Sequence, residues 1–347
     1  MKANLFWIIA ATLIFGFISA LVFWPKQKYL SPSVIYSPVL GQKLAAKVAI
    51  PPALDFSTAK KFKVKAPYYL VFNLDSGRVY LASGAAEKIS PASFTKLLTG
   101  QVALDLSFPD QLLTATKTST DKVPTTMGFK IGEQFKLSDI LRAAIATSAN
   151  DAAATLAEGI ATQNGLALSD FISLMNQKAT LLKMENSSFA NPDGLDDPGQ
   201  YSTLTDLAKL VRNTVKNYPE IMAAAISERE DIQETETHGF YYVSNWNGLL
   251  GVYPGVFGLK IAYTENAGNS TIVLSERNKI RLAVIVSGAP TLYDRDQAAA
   301  TLLDQAFAVE KTSPAGVTEW QLKQHYKVWT NLINKTKAEL AAKNGLK

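Results

Sequence analysis

The sequence predicts an α+β domain in which helices pack on an antiparallel sheet. Two apolar segments, 68–74 and 79–81, flank a polar turn at 75–78, a pattern typical of two strands joined by a turn. Near the other end of the chain, 270–274 and 282–286 are also typical of strands. Between these pairs the apolar residues recur at helical spacing. Strands at both ends with helices between them fit a layer of helices on a sheet.

The helices are predicted from the spacing of their apolar residues. The segment after Ser93 has the pattern of a buried helix, and the helical pattern of 137–160 is interrupted at Ser148. One more strand is predicted at 240–243, and Asn278-Lys279 predicts a hairpin turn between the last two strands. The remaining predicted helices cover 170–182, 204–215 and 295–308.

The composition of the 347 residues limits the chemistry. Apolar residues make up 47% of the chain, enough for a sizeable core, and the absence of cysteine excludes disulfides and thiolate sites. The only histidines, His238 and His325, are too few for a zinc site with several histidine ligands. The net charge of +5 suits an anionic membrane or cell-wall surface, but no basic tract indicates nucleic-acid binding.

Both ends of the chain differ from the predicted domain at 61–310. Residues 5–24 form an apolar run of membrane-spanning length, so 1–25 is predicted to be a signal anchor in preference to a cleaved signal peptide. The proline-containing segment 26–60 predicts an extended stalk. Residues 311–347 predict a linker and an amphipathic helix, which could lie on a membrane, pack on the domain or meet a partner. We favour packing or a partner.

The most informative residues are 91–96, which place a hydroxyl and an amine three residues apart. Because three residues are close to one helical turn, Ser93 and Lys96 would share a face of a helix that begins here. A serine needs an adjacent base to act as a nucleophile, and a lysine whose pKa is lowered by burial or by a neighbouring cation can be that base. We therefore predict that Ser93 is a nucleophile and Lys96 its base.

Two further motifs follow at suitable distances, Ser148-Ala149-Asn150 and Lys260-Ile261-Ala262. Taken singly, each has an ordinary structural explanation, such as capping of the next helix by Ser148 and Asn150. Together with the Ser-x-x-Lys pair, they resemble in order and spacing the three motifs of the low-molecular-mass penicillin-binding proteins, the D-alanyl-D-alanine carboxypeptidase family. The resemblance runs from about residue 68 to about residue 307 and includes 191–195 and 245–249.

This resemblance implies a β-lactamase/transpeptidase-like fold and acyl transfer to a serine. Ser93 would attack the carbonyl of the penultimate D-alanine of a peptidoglycan stem peptide, and Lys96 would accept its proton. Ser148 would relay a proton to the leaving amine, while Asn150 would hold the peptide and steady Lys96. The backbone N–H groups of Ser93 and Tyr263 would bind the oxyanion. β-Lactam antibiotics would be covalent inhibitors, and no cofactor or metal is implied.

The third motif departs from the family pattern at 261–262. Ile261 stands where a threonine normally hydrogen-bonds the terminal carboxylate of the substrate, and Ala262 replaces a glycine that lets the substrate backbone approach. Lys260 is retained, and Arg295 matches a family position that faces the carboxylate and could compensate. We therefore expect a carboxypeptidase. The alternatives are a D,D-endopeptidase of the same fold and a non-catalytic cell-wall-binding or scaffold protein.

The resemblance also bears on location. It implies that the catalytic domain lies outside the cytoplasm and is held at a bacterial cell membrane by the single N-terminal segment. The charges that flank this segment do not settle its orientation, and the sequence does not determine the oligomeric state.

Overall fold

The computed structural model describes residues 38–345 of the chain. The signal anchor predicted at 1–25 lies outside these residues. Between residues 38 and 345, no helix is long and apolar enough to span a membrane.

The described residues form two antiparallel sheets. The larger sheet has the order β2-β1-β7-β6-β5, so β5 is one of its edge strands, and β3 pairs with β4 in a separate small sheet. This confirms the predicted α+β class with strands contributed by both ends of the domain. The strands are β1 (Tyr68–Asn73), β2 (Val79–Ser83), β3 (Leu112–Thr114), β4 (Gln134–Lys136), β5 (Val256–Ala262), β6 (Asn269–Arg277) and β7 (Ile280–Ala289).

Seven of the ten helices of the described chain lie between β2 and β5. A 3₁₀ turn, Ala92–Phe94, leads directly into α2, and a π-helical turn, Ala143–Thr147, follows α4. The helices are α1 (Pro38–Ala46), α2 (Thr95–Leu106), α3 (Lys117–Thr120), α4 (Leu137–Arg142), α5 (Asn150–Gln163), α6 (Leu168–Leu181), α7 (Leu204–Asn217), α8 (Pro219–Ile226), α9 (Leu292–Val309) and α10 (Glu319–Gly345).

Two packed regions hold the domain together. Helix α9 packs along β6 and β7, where Val284, Leu302 and Phe307 are among the fully buried side chains. Helix α2 contacts α5, α6 and α7, and eleven of its twelve residues are buried. A helix enclosed on all sides cannot shift without disturbing its neighbours, because protein interiors are close-packed. The residues at the start of α2 are therefore held on a rigid element.

The hairpin between β6 and β7 confirms the predicted turn. Asn278 and Lys279 have φ angles of 51° and 64°, the left-handed conformation that a two-residue type I′ hairpin requires at both positions. The strand predicted at 240–243 is wrong, because this segment forms only an isolated bridge from Tyr241 to Ile232. Tyr241 instead packs its ring edge-on against Phe129.

The start of the described chain differs from the extended stalk expected over 26–60. Pro38 begins helix α1, a position that suits proline because the first N–H of a helix needs no intrahelical partner. Leu44 is fully buried, and the segment after the helix bridges to the domain at Asp55 and Lys60. These residues therefore pack on the domain.

A buried lysine ties α1 to the helical layer. Lys178 Nζ donates to the Leu44 carbonyl at 2.7 Å and to Asp105 Oδ2 at 2.8 Å. Tyr218 donates to the other oxygen of Asp105 at 2.8 Å, and the side chains of Lys178 and Asp105 are both inaccessible to solvent.

At the other end, helix α10 packs on the domain, as we favoured. It contacts α9, and its buried residues include Leu322, Tyr326, Trp329 and Ile333, each no more than 7% exposed. These residues recur every three or four positions, which places them on one face of the helix.

We expect Lys178→Ala to lower the free energy of unfolding by about 3–5 kcal/mol, because it leaves the buried carboxylate of Asp105 without its ion-pair partner. Urea denaturation would measure the loss. Lys216→Ala, which removes an exposed lysine from α7, is the control and should change stability by about 0.5 kcal/mol or less. Equal effects of the two substitutions would contradict this account of the buried pair.

Candidate active site

Ser93 lies in the 3₁₀ turn immediately before helix α2. The backbone of Gly194 packs closely against this turn. A Cβ added to Gly194 would lie only 2.0 Å from the Ala92 carbonyl oxygen. Ala92 itself has a φ of 44°, an unfavourable value for a residue with a side chain. Such local strain persists only where the surroundings enforce it, and it is common at functional sites.

Lys96 is completely buried and points its amine at Ser93. Its Nζ lies 2.9 Å from Ser93 Oγ and 2.7 Å from Asn150 Oδ1, and it also donates to the Asp193 carbonyl. The structure therefore confirms that the two residues share one face. All three partners of the amine are uncharged oxygens, which offer it less stabilisation than a paired carboxylate would.

Burial lowers the pKa of Lys96 to about 7. Asp193 and Asp151 oppose this shift, whereas the cation of Lys122 adds to it. Lys122 forms an ion pair with Asp193 at 3.0 Å, so it offsets the carboxylate with the larger effect on Lys96. A substantial fraction of Lys96 is consequently neutral near pH 7, as a general base requires.

Ser148 terminates the π-helical turn in the left-handed conformation, with φ 65° and ψ 31°. Its side chain lines the same cavity as Ser93. Among residues 38–345, no hydrogen-bond partner of its hydroxyl is found, so the hydroxyl is available to a ligand. Capping of the next helix is not its role, because Ala149 is the N-cap of α5 and the cap has no side-chain hydrogen bond.

Asn150 connects Lys96 to the loop that forms one wall of the cavity. Its Oδ1 accepts from Lys96, the contact expected of a residue that steadies the amine, and its Nδ2 donates to the Val123 carbonyl at 2.9 Å. Its backbone N–H donates to the Thr125 carbonyl at 2.8 Å. One N–H of the Asn150 side-chain amide is thus bonded to the loop, and the other remains available to a bound peptide.

Asp151 holds the same loop, a role that the sequence analysis missed. Its inaccessible carboxylate accepts backbone N–H groups from Met127 at 3.0 Å, Gly128 at 2.9 Å and Phe129 at 3.3 Å. A signal was present in the sequence, since an acidic residue in the first turn of a helix often accepts backbone donors. The loop that would supply those donors could not be inferred from spacing.

The edge strand β5 supplies the opposite wall. Lys260 is 1% exposed, and its Nζ donates to the Ile261 carbonyl at 3.0 Å. Burial, followed by the cations of Lys96 and Arg295, holds the pKa of Lys260 well below its usual range. The side chain of Ile261 lines the cavity, as does Tyr263, which is 61% exposed at its mouth.

Arg295 is placed differently from the other predicted residues. It is 4% exposed and pairs with Asp296, whose Oδ1 lies 2.7 Å from its Nε. Burial alone would lower the pKa of Arg295, but Asp296 and Tyr326 raise it overall. Arg295 is not among the residues that line the cavity, so carboxylate binding by this residue stays a prediction.

The cavity has a volume of about 120 Å³ and is formed by the α2 turn, the end of the π-helical turn, the loop 123–129, the loop after residue 190 and β5. Four of the seven predicted site residues line it: Ser93, Ser148, Asn150 and Tyr263. Lys96 and Lys260 lie behind its surface in contact with lining residues. Within 38–345 no group of three or more histidine or acidic side chains could hold a metal ion. The lining residues are Ser93, Pro124, Thr125, Ser148, Asn150, Asp193, Gly194, Leu195, Ile261, Tyr263 and Thr264.

Comparison with known proteins accounts for this arrangement. The model of the D-alanyl-D-alanine carboxypeptidase family matches residues 55–291. The chain belongs to this family. Among its relatives in the family, the D-alanyl-D-alanine carboxypeptidase DacF of Bacillus subtilis is 29% identical over 245 residues, which cover 69% of this chain and 61% of DacF. DacB2 of Mycobacterium tuberculosis is 30% identical over 259 residues, covering 72% of this chain and 85% of DacB2.

Solved structures support the same fold. The Streptomyces K15 DD-transpeptidase superposes with a TM-score of 0.66 at 24% identity and covers 72% of this chain and 99% of its own. Penicillin-binding protein D2 of Listeria monocytogenes, solved in an ampicillin-bound form, has a TM-score of 0.61 at 28% identity, with coverage of 71% and 98%. The chain spans only about three fifths of several of the curated family members that it matches, including DacF and DacC of Escherichia coli, covered to 61% and 59%.

The lowered pKa of Lys96 predicts a specific dependence of stability on pH. Between about pH 7 and its usual pKa of 10.5, the unfolded chain carries a proton on Lys96 that the folded chain lacks. The free energy of unfolding should therefore rise with pH in this window, by about 1.4 kcal/mol per pH unit from this residue. Below about pH 7, Lys96 is protonated in the folded chain as well, so the full cost of burying its charge lowers the free energy of unfolding.

Urea denaturation of the wild type and of Lys96→Met at pH 7, 8 and 9 would test this expectation. The free energy of unfolding of Lys96→Met should rise less steeply with pH, by about 1.4 kcal/mol per pH unit. Lys122→Met should move the start of the window to higher pH, because it removes a cation that lowers the pKa of Lys96. Lys117→Met, which alters an exposed lysine, is the matched control. Parallel pH profiles of the wild type and Lys96→Met would show that Lys96 has no depressed pKa.

Proposed function

We propose that this protein is a serine-type D-alanyl-D-alanine carboxypeptidase that acts on peptidoglycan stem peptides through an acyl-enzyme on Ser93. The observation that carries the proposal is the distance of 2.9 Å between Ser93 Oγ and the buried amine of Lys96, whose pKa is lowered to about 7. A serine hydroxyl in contact with a neutral amine is an activated nucleophile. Membership of the carboxypeptidase family supports the choice of substrate.

In the first half-reaction, Ser93 Oγ attacks the carbonyl carbon of the penultimate D-alanine while its proton passes to Lys96 Nζ. The resulting oxyanion accepts hydrogen bonds from the backbone N–H groups of Ser93 and Tyr263. The peptide C–N bond then breaks, and the proton reaches the leaving nitrogen through the free hydroxyl of Ser148. Free D-alanine departs and leaves an ester on Ser93, which water hydrolyses with Lys96 again accepting a proton.

The position of β5 supports the way in which the peptide would bind. As an edge strand, β5 pairs with β6 on one side and has no strand partner on the other within residues 38–345. An extended peptide can add to such an edge through main-chain hydrogen bonds. A peptide aligned in this way passes between β5 and Asn150, whose second amide N–H can donate to a peptide carbonyl.

We further propose that residues 5–24 anchor the protein in a bacterial cell membrane, with the catalytic domain on the outer side. The support is the length and uniform apolarity of this run, which is sufficient to cross a bilayer. Stem peptides of the cell wall occur on that side. β-Lactams, which mimic the acyl-D-alanyl-D-alanine bond, would acylate the same serine.

The nucleophile is tested by labelling with a fluorescent penicillin. We expect Ser93→Ala to abolish covalent labelling, because the reacting oxygen is removed, whereas Ser90→Ala should label like the wild type. Ser90 is a suitable control because its hydroxyl bonds to Asp196, away from Lys96. Peptide mapping of the labelled wild type would locate the modified residue. A label on another residue, or labelling that survives Ser93→Ala, would refute the assignment.

Carboxylate recognition is tested at Ile261, whose side chain lies in the cavity but cannot donate a hydrogen bond. We expect Ile261→Thr to raise kcat/KM about tenfold for diacetyl-L-lysyl-D-alanyl-D-alanine, since a hydrogen bond to a carboxylate is worth about 1.4 kcal/mol or more. Hydrolysis of the C-terminal amide of this peptide should change little. An unchanged ratio of the two rates would favour a D,D-endopeptidase, for which a terminal carboxylate is unimportant.

A further inference from the structure

Helix α10 contacts Arg295 and Asp296 of α9 through a hydroxyl on its buried face. The helix lies outside the residues matched by the family model, which end at 291. Tyr326 is 6% exposed among the apolar residues that face the domain. Its hydroxyl donates to Asp296 Oδ2 at 2.6 Å and accepts from Arg295 Nη2 at 2.8 Å.

This hydroxyl completes a buried network with defined geometry. Arg295 and Asp296 form two parallel contacts, Nε to Oδ1 at 2.7 Å and Nη2 to Oδ2 at 3.0 Å. Gly248 provides the space, because a Cβ at that position would lie 2.2 Å from Asp296 Oδ2 and 2.3 Å from the Tyr326 hydroxyl. The network is thus enclosed by the loop that contains Gly248, by α9 and by α10.

The hydrogen bonds of Arg295 are distributed unevenly over its guanidinium group. Nε is used by Asp296, and Nη2 contacts Asp296, Tyr326 and the Trp246 carbonyl, the last at 3.4 Å. Nη1 makes no hydrogen bond to any residue within 38–345, so its two N–H groups are left over. The planar guanidinium cannot redirect Nη1 without breaking the other contacts.

Arg295 is also linked by hydrogen bonds to the segment that leads to Ser148. The Trp246 N–H donates to the Ala146 carbonyl at 3.4 Å, and the Trp246 carbonyl accepts from Arg295 at 3.4 Å. The positive charge of Arg295 contributes to the lowered pKa of Lys260, the buried lysine of β5. Lys96 acts on Lys260 in the same way. Arg295 thus influences a buried lysine of β5, the strand that lines one wall of the cavity, and its Nη1 is a donor with no partner among the described residues.

We propose that Tyr326 is a positioning residue that, together with Asp296, orients Arg295 so that its Nη1 donates to the terminal carboxylate of the substrate. This proposal rests on the proposed carboxypeptidase function. It gives α10 a part in substrate recognition, because Tyr326 is the contact of this helix with the guanidinium. Without the hydroxyl, Nη2 loses an acceptor and Asp296 a donor, so the guanidinium is held only by Asp296 and the longer contact with the Trp246 carbonyl, and its orientation is less closely fixed.

The experiment compares Tyr326→Phe with Tyr293→Phe in the full chain. Tyr293 stacks edge-on against the Tyr326 ring at 5.6 Å, but its hydroxyl has no hydrogen-bond partner within the described residues, so it is a matched control. The probes are diacetyl-L-lysyl-D-alanyl-D-alanine and its C-terminal amide, with release of D-alanine or D-alaninamide followed by chromatography. If the amide turns over too slowly, its inhibition constant against the free acid replaces its KM.

We expect Tyr326→Phe to raise KM for the free acid by about tenfold, the loss expected for one hydrogen bond to a charged group, with kcat changed by less than about twofold. Its KM for the amide should stay within about twofold of the wild type, as should both constants in Tyr293→Phe. Asp296→Asn, which loses the charge but keeps the shape, should also lower the preference for the free acid.

Equal losses on both peptides would overturn the proposal, because they indicate a purely structural role for Tyr326. An unchanged preference for the free acid would overturn it as well. Saturation labelling with penicillin would show that each variant retains an intact Ser93 site. Failure of the wild type to hydrolyse either peptide would instead refute the proposed function, so the two failures are distinguishable.

Discussion

The burial of the Lys96 amine is the constraint on which the rest of the site depends. An amine is charged in water at pH 7, and only the removal of water makes its neutral form accessible. The structure achieves this with oxygen partners that carry no net charge, from Ser93, Asn150 and Asp193. A carboxylate in direct contact would restore the charge and abolish the base. The site therefore keeps Asp193 and Asp151 close, but engages their carboxylates elsewhere.

Several contacts around the cavity help to keep the Lys96 amine buried and neutral. The Asp151 carboxylate binds three N–H groups of the loop 127–129, which would otherwise be free to move away from Asn150. Lys122 pairs with Asp193 and so weakens the attraction of that carboxylate for a proton on Lys96. The enclosed helix α2 supplies the rigid base. Stability and reactivity are thus opposed, since the same burial that makes Lys96 reactive costs folding energy below pH 7.

The parts of the site that could be predicted from sequence are those governed by local geometry. The spacing of Ser93 and Lys96 determines that they share a face, and the periodic apolar residues of α10 indicate its buried side. The turn at Asn278-Lys279 follows from the length of the connection between two strands. Motif order then identified Ser148, Asn150 and Lys260 by resemblance.

Contacts between distant segments could not be predicted in this way. The sequence gives no sign that Lys178 binds the carbonyl of Leu44, and the prolines of 26–60 predict a stalk. The segment 240–243 has strand-like composition, but a strand requires a partner, and it forms only an isolated bridge. The pairing of Arg295 with Asp296 and Tyr326 likewise depends on how α9 and α10 meet, which spacing along either helix does not specify.

The position of α9 limits how far the chain can be shortened. The matched family region ends at residue 291, one residue before this helix begins. A fragment trimmed at that point would lose Leu302, Leu303 and Phe307, which are completely enclosed against the sheet. The uncovered face of β6 and β7 would then present a broad apolar surface to water, a feature associated with aggregation. The smallest soluble unit is set by the layers of the fold and extends beyond the boundary of sequence similarity.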